Sequence, residues 1–392
     1  MNSRAKQDPC AFSDHEDWKS ALFEDCIDNI VYTKKVKRRD FLSEGRFPIV
    51  SQEEGQVNGY WDNDTDLFKI ERPVLVFGDH TRIEKYIDFD FVIGADGVKI
   101  LCPKEFILPR FFYYQLLAQD IESLGYARHY RILKELYVRY PTMREQQRIV
   151  GILDEAFEAI AIAKAKTEQN RQNARALFES YMYRIFVRRD SSWVETCLGK
   201  LCEFEDGDRG KNYPNRSEYV ASGIPWINTG HIRPDGSLSQ EEMNFISREK
   251  FASLRSGKIR RGDLVYCLRG ATLGKTAAVE PFTEGAVASS LVIIRPGGQI
   301  DSRFLYRFLT SPYCREQIEL YKNGAAQPNL GSKSVAKFRV SLPRRKEQEV
   351  ITRRLDEISI ETQHLDALYT RKLAALDELK ASLLHQAFSG QL

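Results

Sequence analysis

The chain has nothing approaching the roughly 18 consecutive apolar residues of a membrane span. Its first twenty residues, MNSRAKQDPCAFSDHEDWKS, lack the apolar stretch of a secretory signal. Cysteine is sparse, with seven in 392 residues. An odd count without a CxxC, and with no second pair to match Cys197 and Cys202, speaks against a disulfide framework and against a zinc site. The expectation is a reducing cytoplasm. An excess of charge is missing too: 58 basic and 55 acidic side chains leave a net charge of +3. A polyanionic partner would require positive charge gathered on one face or supplied by other subunits. A hydrophobic content of 42% with 29% charged residues is ordinary for a globular protein, and the length allows two or three domains.

Catalytic constellations are also absent. There is no H-E-x-x-H helix and no nucleophile elbow. PDGSLSQEEM, from Pro234, has carboxylates but lacks the Lys that would complete a metal-nuclease core. No metal ligands and no catalytic residues are expected. RGATLGKT, Arg269 to Thr276, comes nearest to a nucleotide motif. A Walker A loop places four residues between its glycines and opens a helix that holds the anion. Here only Ala271, Thr272 and Leu273 separate Gly270 from Gly274, and TAAVEPF after Lys275 reads as strand. No glycine motif opens a βαβ unit, so neither a dinucleotide nor a methyl-donor cofactor is expected on this chain.

What the sequence does contain is a duplication. YPTMREQQRIVGILDE from Tyr140 and LPRRKEQEVITRRLDE from Leu342 align at a shift of 202 residues, and the match continues without a gap to Phe186/Phe388. Each copy reads as a long helix opened by Pro141 or Pro343. Ile149, Leu153, Ala156, Ile160, Ala163, Thr167, Asn170, Ala174, Leu177 and Tyr181 step by four and three. Ile351, Leu355, Ile358, Thr362, Leu365, Tyr369, Lys372, Leu376, Leu379 and Leu383 fill the same slots. This 3.5-residue period predicts a coiled-coil seam, with Asn170 and Lys372 as polar residues that set register. Such helices would be roughly 65 Å long and serve as a spacer or dimerisation rod.

The segments before each helix correspond more loosely. RFPIVSQ pairs with GIPWINT through Pro48 and Pro225, KIERPVLVFG with KIRRGDLVYC, GVKILCP with LVIIRPG, and RFFYYQLL with RFLYRFLT. Short strands alternating with short helices predict a compact α/β or α+β domain. The expected order is a globular domain over 1–140, a helix over 141–189, a second domain over 190–342 and a helix over 343–392.

The framework strands correspond, while the loops beyond them differ. That pattern suits two readers of different ligands. In the first domain the candidate contacts are Lys34, Lys35, Lys37, Arg38 and Arg39; Ser51, Gln52, Gln56, Asn58 and Tyr60; and Gly78, Asp79, His80, Thr81 and Arg82. In the second they are Arg209, Lys211, Asn212, Tyr213 and Arg216; Asn228, Thr229, Gly230 and His231; Arg269, Gly270, Ala271, Thr272 and Lys275; and Gln327 and Asn329. Lys and Arg position phosphates, Asn, Gln, His and Arg pair with base edges, and glycine lets backbone N–H groups come close. His80 and His231, without matching carboxylate or Cys partners, read as base or phosphate contacts.

At this point the chain resembles the DNA-specificity subunits of type I restriction–modification systems. The resemblance rests on the repeated P-x-x-x-E-Q (Pro141 with Glu145 and Gln146, Pro343 with Glu347 and Gln348), on LDE in each helix, and on GATLGK, ASSLVIIRP and LLHQAFSGQL. SQEEG, GDHTR and FDFVIGADGVKIL resemble one class of target-recognition domain in that family. The resemblance implies an α+β fold with two duplicated target-recognition domains, separated by two long antiparallel helices in circular pseudo-two-fold symmetry. Each domain would read one half of an asymmetric, bipartite site in double-stranded DNA. Two methyltransferase subunits would dock on the helices and restriction/translocase subunits would join. The methyl donor and ATP/Mg would belong to those partners, and the subunit itself would be non-catalytic. The first domain lacks GATLGK, so its contacts are carried by its own loops. The reading from composition alone leaves open a coiled-coil protein-interaction scaffold or homodimer.

Overall fold

The computed structural model describes residues 18–119, 121, 125, 127–187, 192–324, 329–389 and 391–392. The N-terminal stretch through Asp17, and Gln327, lie outside them. Among the described residues no helix is long and apolar enough to cross a membrane. The chain divides into two compact units, Met1–Glu168 with Thr370–Leu392, and Gln169–Tyr369. Both boundaries fall inside long helices, Met143–Val187 and Arg345–Ser389, each of 45 residues and about 68 Å.

In the first unit the strand Lys19–Leu22 pairs antiparallel with Tyr137–Tyr140, immediately before the helix. Two sheets follow. One orders Gly59–Trp61, Phe47–Val50, Phe91–Ile93 and Leu67–Phe68; the other orders Glu84–Ile87, Val74–Gly78 and Val98–Leu101. Strand alternation makes the second sheet a middle layer. Val74 and Val76 face the other sheet with Phe91 and Ile93, whereas Leu75 and Phe77 face Phe111, Phe112, Ile149, Leu153, Leu384 and Phe388.

The second unit repeats this plan. Val194–Cys197 pairs with Arg339–Leu342. A sheet of Cys202–Asp206, Leu291–Pro296, Leu264–Cys267 and Thr276–Ala278 lies between a five-stranded sheet and the helices. Leu264 and Tyr266 face Met182, Phe186, Phe304, Phe308 and Leu355, and Val265 and Cys267 face Ile227, Ile259 and Val287. The Pro48 and Pro225 strands each pair in parallel with a later strand, Ile49 with Val92 and Trp226 with Ala286. The globular parts hold more strand and less helix than an even alternation predicts. Their longer helices, Pro109–Leu117, Ser302–Leu309 and Pro312–Tyr321, come after the sheets.

The repeated motifs dock helix to domain. Gln146 accepts from Leu108 N–H at 2.8 Å and donates to Phe106 O and Pro141 O at 2.9 and 3.0 Å. Gln348 accepts from Asp301 N–H at 2.8 Å and donates to Gln299 O and Pro343 O, both at 2.9 Å. The Asp of LDE takes the next contact: Arg110 Nε donates to Asp154 at 2.9 Å, and Arg303 and Arg307 both pair with Asp356. The two glutamines are fully buried, and their amides are satisfied where the domain meets the helix base, as buried groups must be.

Within each unit the helices run antiparallel. Lys164 pairs with Asp377 at 2.5 Å and Lys380 lies 5.0 Å from the Phe157 ring centroid in the first; Arg175 pairs with Asp366 at 2.5 Å in the second. The seam differs from the one predicted. Ile149, Leu153, Ile160 and Leu355 are buried, and Ile351, Ile358 and Leu376 are half-buried, but Leu177 is 71% exposed, and Leu365 and Leu379 are also exposed. The other predicted slots apart from Asn170 and Lys372 are buried or half-buried, Thr167 among them, and the inward stripe also takes in Phe178, Met182 and Phe186, and Ser359, Asp366, Leu373, Leu384 and Phe388. A helix of 3.6 residues per turn drifts about 20° per heptad from a strict 3.5 repeat, so a stripe followed from Ile149 rotates off the heptad slots. Asn170 and Lys372 are exposed, and Thr167, donating to Ala163 O at 2.7 Å, is the buried polar residue nearby.

Candidate nucleic-acid interface

In the second unit both sheets end on one edge. Cys202–Asp206, Leu264–Cys267, Ile224–Ile227 and Glu284–Val287 finish there, while Thr276–Ala278 and Leu291–Pro296 begin there. Backbone bonds join the strand ends: Ala288 N–H donates to Ile227 O at 2.7 Å and Leu268 N–H to Ser290 O at 2.9 Å. The loops leaving this edge are 207–216, 228–233 and 269–275. Bridges from Asn329 to Arg269 and Asn323 bring these two asparagines beside them. Loops far apart in sequence thus share one surface because their strands share one edge.

The RGATLGK loop is a hairpin tip. A single turn over Gly270–Thr272 closes with Gly274 N–H on Cys267 O at 2.9 Å, and Lys275 leads directly into Thr276–Ala278. With a strand where a P-loop has a helix, the anion-holding N-terminus is missing. Gly274 has φ +85°, and a Cβ on it would meet Ile318 Cδ1 at 2.8 Å.

On this edge Arg209, Lys211, Arg216, Gly230, Arg269, Ala271, Lys275 and Asn329 are exposed, and Asn212, Tyr213, Asn228, Thr229, Gly270 and Thr272 half-buried. Gln327 lies outside the described residues. His231 departs from its predicted role as a surface contact: it is 4% exposed, and its Nδ1 accepts from Asn228 N–H at 3.1 Å. Burial lowers its pKa and favours the neutral ring. Tyr213 packs its ring edgewise on Trp226, 5.3 Å between centroids. Two contributors escaped the sequence reading. Asp208 is buried, and accepts from Arg255 N–H at 2.8 Å, which holds its carboxyl below the usual range; it thereby fixes the exposed Arg255 beside the loop. Ser289, whose carbonyl receives Arg209, sits in the ASSL turn that only its place before a strand could have marked.

The first unit has the equivalent edge. Val50 and Ile93 end a parallel pair, and Gly78 lies opposite Val98. The 33–39 loop is anchored by Val36, which donates to Ile93 O at 2.9 Å, leaving Lys34, Lys35, Lys37, Arg38 and Arg39 exposed. Arg38 pairs with Glu53 at 2.7 Å, joining this loop to 51–58. Gln52 Oε1 accepts from His80 N–H at 3.2 Å and Gln52 O from the Thr81 hydroxyl at 2.7 Å, joining 51–58 to 78–82. Gln56 and Thr81 are exposed; Gln52 and His80 are half-buried.

Several predicted contacts here are scaffold instead. Ser51 is buried, its hydroxyl donating to Asn58 Oδ1 at 3.0 Å. Asn58 Oδ1 also accepts from buried Lys85 at 2.8 Å, so the Asn58 amide organises the loop from within. Gly78 is buried, and a Cβ there would meet Thr81 Oγ1 at 2.2 Å. Asp79 is 3% exposed, its carboxylate accepting from Tyr130 N–H at 2.8 Å. Tyr60 lies within a strand opposite Pro48, and Arg82 donates to Ile121 O at 2.7 Å. Polar residues in a tight loop satisfy the loop's own backbone first. Among the described residues, no group of three or more His, Cys, Asp or Glu is placed to hold a metal.

Two strand edges, each carrying basic polar loops on a rigid sheet, suit the recognition of an extended anionic ligand. The chain belongs to the type I restriction modification DNA specificity domain family, whose profile matches residues 16–170 and again 190–369. It is 23% identical over 289 residues to the type I restriction enzyme EcoBI specificity subunit of Escherichia coli, covering 67% of this chain and 60% of that one. It is 22% identical over 346 residues to the EcoR124I/EcoR124II specificity subunit of the same organism, covering 84% and 83%. A chain solved in work on complex assembly and conformational transition of the type I R-M system has the same fold, with a TM-score of 0.74 at 17% identity, over 96% of this chain and 98% of that one.

Proposed function

We propose that this chain is the non-catalytic DNA specificity subunit of a type I restriction–modification complex. It reads an asymmetric bipartite site in double-stranded DNA, one half-site per recognition domain. The observation that carries this reading is one framework used twice with different loops on the equivalent edge. A shared framework presents both surfaces in the same way, and different loops make the half-sites unlike. Arg209, Lys211, Arg216, Arg269 and Lys275 are the second domain's contacts, and Lys34, Lys35, Lys37, Arg38 and Arg39 the first domain's. Each reader packs on the long helices. Their outward apolar residues, Leu177, Leu365, Leu368 and Leu379 among them, receive two methyltransferase subunits, with restriction/translocase subunits completing the complex in the cytoplasm. The methyl donor and ATP/Mg belong to those partners.

Selection from random duplexes with the chain and its methyltransferase partner tests this reading. The expected product is two unlike short sequences at fixed spacing. Arg269→Ala or Lys275→Ala weakens binding and leaves the first half-site's preference intact; equal loss at both halves contradicts independent readers. Four residues inserted near Asn170 lengthen the tolerated spacer without altering either half-site. No sequence preference, together with a stable homodimer, would favour a protein-interaction scaffold instead.

A further inference from the structure

The duplicated units differ along one strand edge. In the second, Leu291–Pro296 is covered by backbone pairing with Cys202–Asp206. In the first, the matching strand Val98–Leu101 ends its sheet: backbone pairing with the neighbouring segment is limited to residues just beyond the strand, Asp28 N–H on Cys102 O and Lys104 N–H on Cys26 O, and side chains reach the strand itself. Ile100 N–H donates to the Tyr32 hydroxyl, and Lys35 Nζ donates to Val98 O, both at 3.2 Å. An edge strand left without a partner is usually blunted by charge, and Lys is a common choice.

Cations line this edge, with Asp96, Asp79 and Glu24 as their acidic neighbours. Lys35 lies 4.8 Å from the Tyr32 ring centroid, and Lys99, on the strand itself, 5.2 Å from that of Tyr130. Burial and then repulsion from Lys99 lower the Lys35 pKa, while Asp96 and Asp79 act to raise it. The short helix Tyr130–Lys134 adds exposed Arg131. This strip is joined rigidly to the recognition edge. Asp79, at the tip of Val74–Gly78, donates its N–H to Gly97 O at 2.7 Å, accepts from His129 N–H at its carbonyl, and accepts from Tyr130 N–H at its carboxylate.

We propose that Lys35, Lys99 and Arg131 form a phosphate-binding strip that holds the DNA backbone flanking the first half-site. The proposal rests on the DNA-reading function above. Three cations on one strip can meet two or three neighbouring phosphates of one DNA strand, roughly one charge each. Backbone contacts of this kind add affinity and register without sequence preference. Asp79 is a positioning residue that fixes the strip against the base-reading loops.

The test measures affinity of the full-length chain for its selected duplex and for a scrambled one between about 50 and 200 mM salt. Lys99→Ala and Arg131→Ala should each reduce the slope of log affinity against log salt by about 0.9. The double variant should lose about twice that, weaken both duplexes by the same factor, and keep the half-site preference. Lys99→Gln, which retains the stem over Tyr130, should give the same loss as Lys99→Ala. Arg261→Ala, which removes an exposed cation beyond the opposite ends of the second unit's strands, should leave the slope unchanged. A folded double variant with the wild-type slope overturns the strip alone, provided the wild type selects a bipartite site. A wild-type chain with no site preference overturns the function on which the strip rests.

Discussion

Gln146 and Gln348, 202 residues apart, occupy the same position in separate units: each is fully buried and each accepts one backbone N–H while donating to two carbonyls. The donor N–H belongs in each case to the residue that caps the helix after the sheets, Leu108 or Asp301. One amide therefore sets the distance between the helix base and the domain. That explains why a glutamine stands in both copies of P-x-x-x-E-Q.

Gln348→Ala leaves Asp301 N–H and the carbonyls of Gln299 and Pro343 without their partner. Buried groups left unmade cost about 1–3 kcal/mol each before relaxation, so a net loss of about 3 kcal/mol is expected. Gln348→Glu should cost more, because an ionised carboxylate cannot donate to either carbonyl. Amide hydrogen exchange resolved by peptide is the measurement. Protection should fall in Gln169–Tyr369, with the first unit close to wild type; uniform loss throughout the chain would show that the amide does not act locally.

The two arginines on Asp356 support a second expectation. Arg307 is mostly buried and Arg303 mostly exposed, yet both pair with the same carboxylate, where the first unit uses Arg110 and the Tyr114 hydroxyl on Asp154. Asp356→Ala should destabilise the second unit by about 2 kcal/mol, as loss of hydrogen bonds to a charged group does. Arg303→Ala should cost well under half of that, because an exposed pair contributes little. Urea unfolding of the three chains gives the comparison, and equal losses would contradict this ranking.

Most of this framework was legible because the duplication is legible. A gapless shift aligns Gln146 with Gln348 and Asp154 with Asp356, and residues that dock a helix on a domain must recur when the docking recurs. Two parts were not. The helix seam read at 3.5 residues per turn holds through Thr167 and drifts beyond it, so that Leu177 is exposed while the neighbouring Phe178 packs inward; periodicity fixes a stripe well only over a few turns. The loops failed for a different reason. Ser51, Asp79 and His231 are the residue types that contact bases, but they are also the types that satisfy a tight loop's backbone, and only tertiary contacts such as Asp79 with Tyr130 decide between the two.

Neighbouring residues of one strand give the first unit an unusual pH response. Burial raises the Glu84 carboxyl to about 8 and lowers the Lys85 ammonium to about 8. Between the ordinary carboxylate value of 4.5 and about 8 the folded state holds a proton on Glu84 that the unfolded chain has released, so stability falls as pH rises. Between about 8 and 10.5 the unfolded chain holds the Lys85 proton that the folded state has released, so stability rises with pH. The contribution of this pair is therefore least near pH 8. Glu84→Gln should remove the falling limb and Lys85→Met the rising one, measured as thermal midpoints from pH 5 to 10. A wild-type profile unchanged by either substitution would contradict these burial effects.

The recognition edge of the second unit depends on a glycine whose need is steric rather than conformational. A Cβ on Gly207 would sit 2.5 Å from Ala288 O and 2.6 Å from Val287 O, both backbone atoms on the strand end that meets Ile227 and Leu291. Backbone cannot swing aside as a flexible side chain can, so Gly207→Ala must push the 207–216 loop away from the 288–290 turn. Arg209, which donates to Ser289 O, and Arg255, held by Asp208, move with it. Sites of this kind tolerate displacements of about 0.5 Å, so discrimination should suffer before folding does. In a duplex selection Gly207→Ala should lose at least tenfold in preference at the second half-site and leave the first half-site intact. Retention of both preferences would mean that the second half-site is read elsewhere on the edge, with the hairpin of Arg269 to Lys275 the next surface to vary.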